Sequence, residues 1–525
     1  MNRAAEATWS EPSESRRLAP GVLVSVAVVG LIALSTGVAA TIGNGSVVVA
    51  LAPLAVAWVL WLVCTAPLRN TLCVLMFLGL SVDRPGDSQE LWNSSLAFIG
   101  GALFQNLNKS LPVDALKFNG MTLAIGLLLA VRAYRVLVGR TRDSAQSIAP
   151  APPLTWSLGV ALTAVVVLVV LGLARGGDSQ MAKIQVQGFI VLLGAAYLWS
   201  VSLRGPRDYR VLATVTVMAA CSKAAMALWV RQVLPPAIPD RFGTLREVEY
   251  ATNHGDSLVF STALVILLVP FFFRPTMRHV RWLLLVLPLI VAGTIANDRR
   301  IAWAQLGASI LVMFAMNVRG PLARRALRAT ILASPLLVAY IVVGWMSPSR
   351  IFKPVQTIRS MIVAERVDGS IDRSTLFRDI ENYNLVYTFQ GNPVIGTGFG
   401  HSFVAAVRGD DMSFFKEYYF LPHNAMLGLW AFCGGLGFSA LFLPMVIGLF
   451  LAIRAHARSR STDIRMAANV AISSMITYLL HVYADIGFTE PSAIFLVGGA
   501  LAIAGQLATE TGAWPTSGPS IRTAT

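Results

Sequence analysis

Two kinds of side chain in this sequence have both the chemistry and the placement for a reactive site: a histidine closing a long polar segment, and arginines set between apolar runs. His423 and Asn424 stand where the polar segment 346–424 gives way to an apolar run. A histidine is the side chain suited to act as base or acid in such a place. A histidine hydrogen-bonded only to the loop would occupy the same position. Asn297-Asp298-Arg299-Arg300 lies between two apolar runs with almost no connection. Charge so close to a membrane is costly unless it has a task, and a guanidinium fork suits phosphate oxygens. Snorkelling at a helix end is the plainer reading. Asp240-Arg241-Phe-Gly-Thr-Leu-Arg246, followed by Asn253-His254-Gly255, offers further cationic contacts to one anionic ligand, or is a solvated loop. Asn392-Pro-Val-Ile-Gly-Thr-Gly-Phe-Gly-His-Ser-Phe403 carries Gly398 and Gly400, which permit tight turns and close ligand approach. Arg373 and Arg378 fall in a helical-looking stretch ending at Glu381; they are further anion contacts or partners of Asp372, Asp379 and Glu381.

The elements that must position these residues follow from composition. The chain has 525 residues, 55% hydrophobic and 13% charged, with mean hydropathy +0.64. Soluble proteins carry about 25% charged residues, so this chain has too little polar surface for water and needs lipid. A membrane-crossing helix takes roughly 20 mostly apolar residues. Runs of that kind lie near 20–42, 46–68, 119–138, 153–174, 182–201, 209–231, 256–273, 282–298, 300–317, 329–346, 425–453, 464–484 and 488–507, with a shorter one at 70–82. The segment 95–105 reads as interfacial or re-entrant. The fold class expected is an all-α polytopic membrane protein of about 14 transmembrane helices, with one long outward-facing loop containing short helices. Its parts are a tail at 1–19, N-terminal spans at 20–231, central spans at 232–345, the long loop at 346–424, C-terminal spans at 425–507 and a tail at 508–525. Cys64, Cys73, Cys221 and Cys433 all lie within apolar runs without metal-ligand spacing. They read as small core residues, and no metal or other cofactor is expected.

Arginine sets the orientation. Segments 132–142, 200–210, 274–281, 317–328 and 454–465 hold 18 Arg and only two acids, Asp208 and Asp463. Cytoplasmic loops carry such an excess. Fourteen spans put all five segments and both termini inside. The net charge of +15 is then largely a topology signal rather than a nucleic-acid footprint. The segments holding the candidate residues fall outside.

In this order, the motifs resemble the O-antigen ligase and O-antigen polymerase family over roughly residues 240–440. Arg241-Phe-Gly-Thr with Asn253 is similar to the family's outward loop. Arg299 is similar to the arginine of its Ser-Arg-Gly element, although Asp298 and Arg300 replace the flanking residues, so either Arg299 or Arg300 can fill the place. The Asn392-Pro…Gly396-Thr-Gly398-Phe-Gly400 segment, His423-Asn424-Ala-Met-Leu427, and Gly434 with Gly437 match best. Phe432 or Cys433 stands where the family often has glutamate. The resemblance implies a metal-independent, inverting glycosyltransferase of the GT-C type in the bacterial inner membrane. Its donor would be an undecaprenyl-diphosphate-linked glycan in membrane lipid, and its acceptor another lipid-linked repeat unit or a lipid A core. His423 would be the base and Arg241 and Arg299 the diphosphate clamp. Arg300, Arg246, Arg373, Arg378, Asn253, Asn424, Gly398 and Gly400 would contact substrate. Polymerase is the leading reading and ligase the alternative. A polysaccharide transporter or flippase, from a different class, should place charge mid-span; here only Lys223 and Asp485 come near that.

Overall fold

A computed structural model describes residues 20–42, 47–82, 100–101, 103–106, 118–138, 148–233, 237–239, 245–247, 252–273, 276–297, 299–318, 321–347, 349–352, 354–356, 359, 369–409, 417–485 and 490–514. Each apolar run becomes a helix. α1 (Pro20–Ile42) and α2 (Val47–Thr65) pack on each other and form one compact unit, Met1–Ala66; the remainder, Pro67–Thr525, is a second. The second unit holds α3 (Leu68–Ser81), α4 (Gly120–Leu137), α5 (Pro152–Ala174), α6 (Ser179–Ser202), α7 (Pro206–Val233), α8 (Asp256–Phe273), α9 (Met277–Asn297), α10 (Arg300–Asn317) and α11 (Pro321–Met346). A polar helix, α12 (Gly369–Gly391), then precedes α13 (Ala425–Arg458), α14 (Thr462–Ala484) and α15 (Pro491–Glu510). One departure from the all-α expectation is a two-strand antiparallel ribbon, β1 (Ala237–Pro239) with β2 (Leu245–Glu247), between α7 and α8. Most of the 95–105 segment lies outside the described residues.

Eight described helices, α4–α7, α9 and α13–α15, are long and apolar enough to cross a membrane. Their starts are set locally. Asn119 accepts from Thr122 N, Asp178 from Gln180 N and Met181 N, and Asn424 from Leu427 N, each filling orphan donors of a first turn. Proline opens α5 and α15, where its missing N–H costs nothing. α15, α6 and α14 are the most buried. Gly498 of α15 lets that helix press on Ala195 and Ala196 of α6, the close approach that small residues allow between membrane helices.

The unit has two chemically different ends. At one, Arg69 pairs with Asp208 at 2.7 Å and Arg210 with Asp463 at 2.7 Å. Both acids of the five arginine-rich segments are thus engaged by arginines. Gln506 donates to the carbonyls of Ile148, Ser200 and Leu203 at this same end. The opposite end gathers the first turn of α8, the last of α9, the first of α10 and the last of α14, joined through Thr252, Asn297, Arg299, His254 and Asp485. The start of α13 shares that end, because α13 and α14 pack together across a three-residue link, Ser459–Ser461. Reporters fused after 205, 278, 323 or 460 are expected to read cytoplasmic, and those after 370 or 410 exported. A cytoplasmic signal from 410 would place every candidate residue beside the wrong leaflet.

Candidate functional site

α12 packs along the first part of α13 and brings Glu381, Asn384 and Thr388 to one face, at helical spacings of three and four. Asn384 and Thr388 clamp the extended segment after the glycines. Asn384 Nδ2 donates to Val407 O and its Oδ1 accepts from Val407 N, both at 2.8 Å, while Thr388 Oγ1 accepts from Val404 N at 2.8 Å. One turn earlier, the fully buried Glu381 carboxylate faces His423. Oε2 accepts the His423 backbone N–H at 3.1 Å, and Oε1 lies 3.3 Å from Nδ1. A carboxylate only accepts, so Nδ1 donates and Nε2 is the ring nitrogen left to accept a proton. The His423 side chain is 30% exposed. Phe377 meets the ring edge-on at 5.9 Å. Tyr418 hydrogen-bonds Glu381, and burial together with that negative charge holds its phenol above the ordinary range, so it remains a donor.

This arrangement can take a proton from a hydroxyl. Glu381 fixes the tautomer and would steady the imidazolium formed, the logic of an orienting carboxylate behind a histidine base. In the sequence, Glu381 reads only as a partner for neighbouring arginines. The signal available was its helical register with Asn384 and Thr388.

Arg299 belongs to a second cluster at this end. Its Nη1 donates to His254 Nε2 at 2.6 Å, and His254 Nδ1 then donates to Asp485 Oδ2 at 2.8 Å. Beside it, buried Asn297 accepts from Thr252 Oγ1 at 2.8 Å and donates to Ser257 Oγ at 3.2 Å. Lys223 and Asp256, each 2% exposed, form an ion pair at 3.0 Å, and Asp256 accepts the Asn253 backbone N–H at 3.2 Å. Arg300 is exposed at the first turn of α10. Arg299, not Arg300, is therefore the arginine drawn into the cluster. Arg378 is exposed on α12. Arg241 lies outside the described residues, as do the side chains of Arg246 and Arg373.

The glycines have a different task from open access to a ligand. Gly396, Gly398, Gly400 and Gly434 all take φ between 60° and 95°, where L side chains are strained. A Cβ on Gly398 would meet Gly172 at 2.5 Å, and one on Gly400 would meet the Asp178 backbone at 2.7 Å. The chain's own backbone occupies that room. Gly434 breaks α13, and residues 393–399 bridge the break. Gly398 N donates to Phe432 O, Gly435 N to Pro393 O, Leu436 N to Val394 O, and Phe399 N to Leu168 O at the end of α5. His401 Nε2 sits 3.1 Å from Gly172 O. Asn424 is the N-cap of α13 and fixes the turn that carries His423.

Comparison with protein-family models and with curated proteins finds no match for this chain. The chemistry rests on the site itself. Among the described residues, no three His, Cys, Asp or Glu side chains converge as a metal site requires. Among the described residues of this cluster, Arg299 is a half-buried cationic side chain, beside the buried Lys223–Asp256 pair.

Proposed function

We propose that this chain is a polytopic inner-membrane glycosyltransferase with fourteen spans. In this reading it moves a glycan from an undecaprenyl-diphosphate carrier to an acceptor hydroxyl on the outer face. The observation that carries the reading is the His423–Glu381 dyad, with Nδ1 tied to a buried carboxylate and the ring partly open. It shares one end of the helix bundle with the Arg299–His254–Asp485 cluster. His423 Nε2 takes the acceptor's hydroxyl proton as that oxygen attacks the anomeric carbon. The glycosidic C–O bond to the diphosphate breaks on the opposite side, inverting the centre, and the carrier diphosphate leaves with the electron pair. Arg299 and Arg241 stabilise that charge, a large term when donors are preorganised in a dry site.

The leading acceptor is another lipid-linked repeat unit, which makes the protein an O-antigen or exopolysaccharide polymerase. Glycan analysis of a deletion strain, with purified protein supplied with a polyprenyl-diphosphate oligosaccharide, tests this. Polymerase predicts single-repeat product in the strain and chain growth in vitro. Full-length chains stranded on the carrier would instead mean ligase. No carrier-dependent transfer in either setting would remove the glycosyltransferase reading.

A further inference from the structure

Arg465, Asn469, Ser473, Thr477, His481 and Asp485 recur at every fourth position of α14 and its C-cap. Such a row stays on one slowly winding helix face. At ~1.5 Å per residue it spans about 30 Å, the depth of a bilayer's hydrocarbon layer. Asn469, Ser473, Thr477 and His481 are at most 1% exposed. α10 sets Gln305, Ser309 and Asn317 against them, also at four-residue spacing, with Met313 the one apolar interruption. Gln305 Nε2 donates to Thr477 O at 3.2 Å, and Asn317 Nδ2 to Asn469 Oδ1 at 3.4 Å. A polar seam thus runs through the apolar bundle.

Among the described residues, several polar atoms in the middle of this seam have no protein partner. Gln305 Oε1, Ser309 Oγ, Ser473 Oγ and both ring nitrogens of His481 are buried with no hydrogen-bond partner among the described residues. Lipid surroundings leave such groups a penalty of several kcal/mol each. Hydroxyl, amide oxygen and imidazole are groups that buried water bridges. The ends of the seam differ. At the arginine-rich end, Arg465 Nη2 donates to Asn317 Oδ1 at 3.1 Å, and its Nε lies 3.5 Å from His456 Nε2. A fixed guanidinium there opposes passage of protons and cations. At the other end the row runs into Asp485 and His254, whose side chain is 37% exposed.

We propose that the α10–α14 seam holds a file of water open at the Asp485 end and stopped at Arg465, making His481 a protonatable site inside the membrane served from that end alone. This is independent of the transfer reading. To test it, Ser473→Cys and Ser309→Cys are introduced in the full chain with its four cysteines changed to alanine. The protein is then reconstituted in one orientation. Ag+, thiol-reactive and small enough to follow water, is added to one face, and remaining thiols are labelled with a maleimide after unfolding. The expected result is loss of labelling at both positions with Ag+ on the Asp485 side and no loss from the other. Ala471→Cys, at similar depth but off the row and 1% exposed, keeps its label. Protection of Ser473→Cys from both sides means a dry seam, and loss from the Arg465 side means no stop there; either overturns the proposal. Should the cysteine variants fail to fold, exchange of the His481 ring C2 hydrogen in D2O, read by mass spectrometry on the unsubstituted chain, decides it. Exchange supports the water file; none at His481 while His401 exchanges overturns it.

Discussion

His423→Ala is expected to lower glycan transfer about 10²–10⁴-fold, the range for losing a general acid–base group, with membrane insertion intact. Donor binding should persist, because the proposed mechanism gives the diphosphate to the arginines rather than to His423. His423→Gln should be nearly as poor, since an amide hydrogen-bonds but takes no proton at neutral pH. That variant separates a base from a histidine that only ties the loop to α13. Glu381→Gln probes the other half of the dyad. It keeps volume and can still accept the His423 backbone N–H, yet removes the negative charge facing Nδ1. Transfer should fall by about the same 10²–10⁴-fold, as when an orienting carboxylate behind a histidine is neutralised. Near-normal transfer in His423→Gln would leave only positioning to this residue.

The second large effect is expected at Arg299. Arg299→Ala removes a cation and leaves His254 and Asp485 without the donor that ends their chain. If the guanidinium meets the leaving diphosphate, transfer drops by roughly 10²–10³-fold, the scale of losing one preorganised donor. Arg299→Lys recovers little, because a point charge does not reproduce a planar fork. Arg241→Ala should behave alike. Arg300→Ala should be mild, since Arg300 is exposed beyond the cluster. Transfer assays on detergent-purified variants measure all four. An inactive Arg300→Ala beside an active Arg299→Ala would reverse the assignment.

The helices were legible in the sequence because lipid demands long apolar runs, and arginine placement marked which connections share an end. Even the short 70–82 run is a helix, with Arg69 at its start tied to Asp208. His423 and Arg299 were legible as out-of-place polar residues beside apolar ones. Their partners were not. Glu381 is 42 residues from His423, and Asp485 is far along the chain from His254; pairing across such gaps is decided by packing, which residue type does not encode. The glycines illustrate the converse. Their spacing suggested access for a ligand, whereas positive φ and the backbone against them show them joining three parts of the chain. The α14 row was written in plain four-residue steps, yet the apolar residues between its members keep the mean hydropathy high enough for the run to read as an ordinary span.

The bridge across the break at Gly434 also imposes an order on biosynthesis. α5 is made early, but the turn segment that completes its end comes far later: Arg175 Nη1 donates to Gly396 O across 221 residues. The first part of α13 cannot settle until residues 393–399 are in place, and those residues cannot settle until α5 and α13 both flank them. His423 and Glu381 are carried by the same late pieces. A ribosome nascent chain stopped before His423 therefore holds most of its helices and lacks the completed dyad, which forms only once the start of α13 has followed.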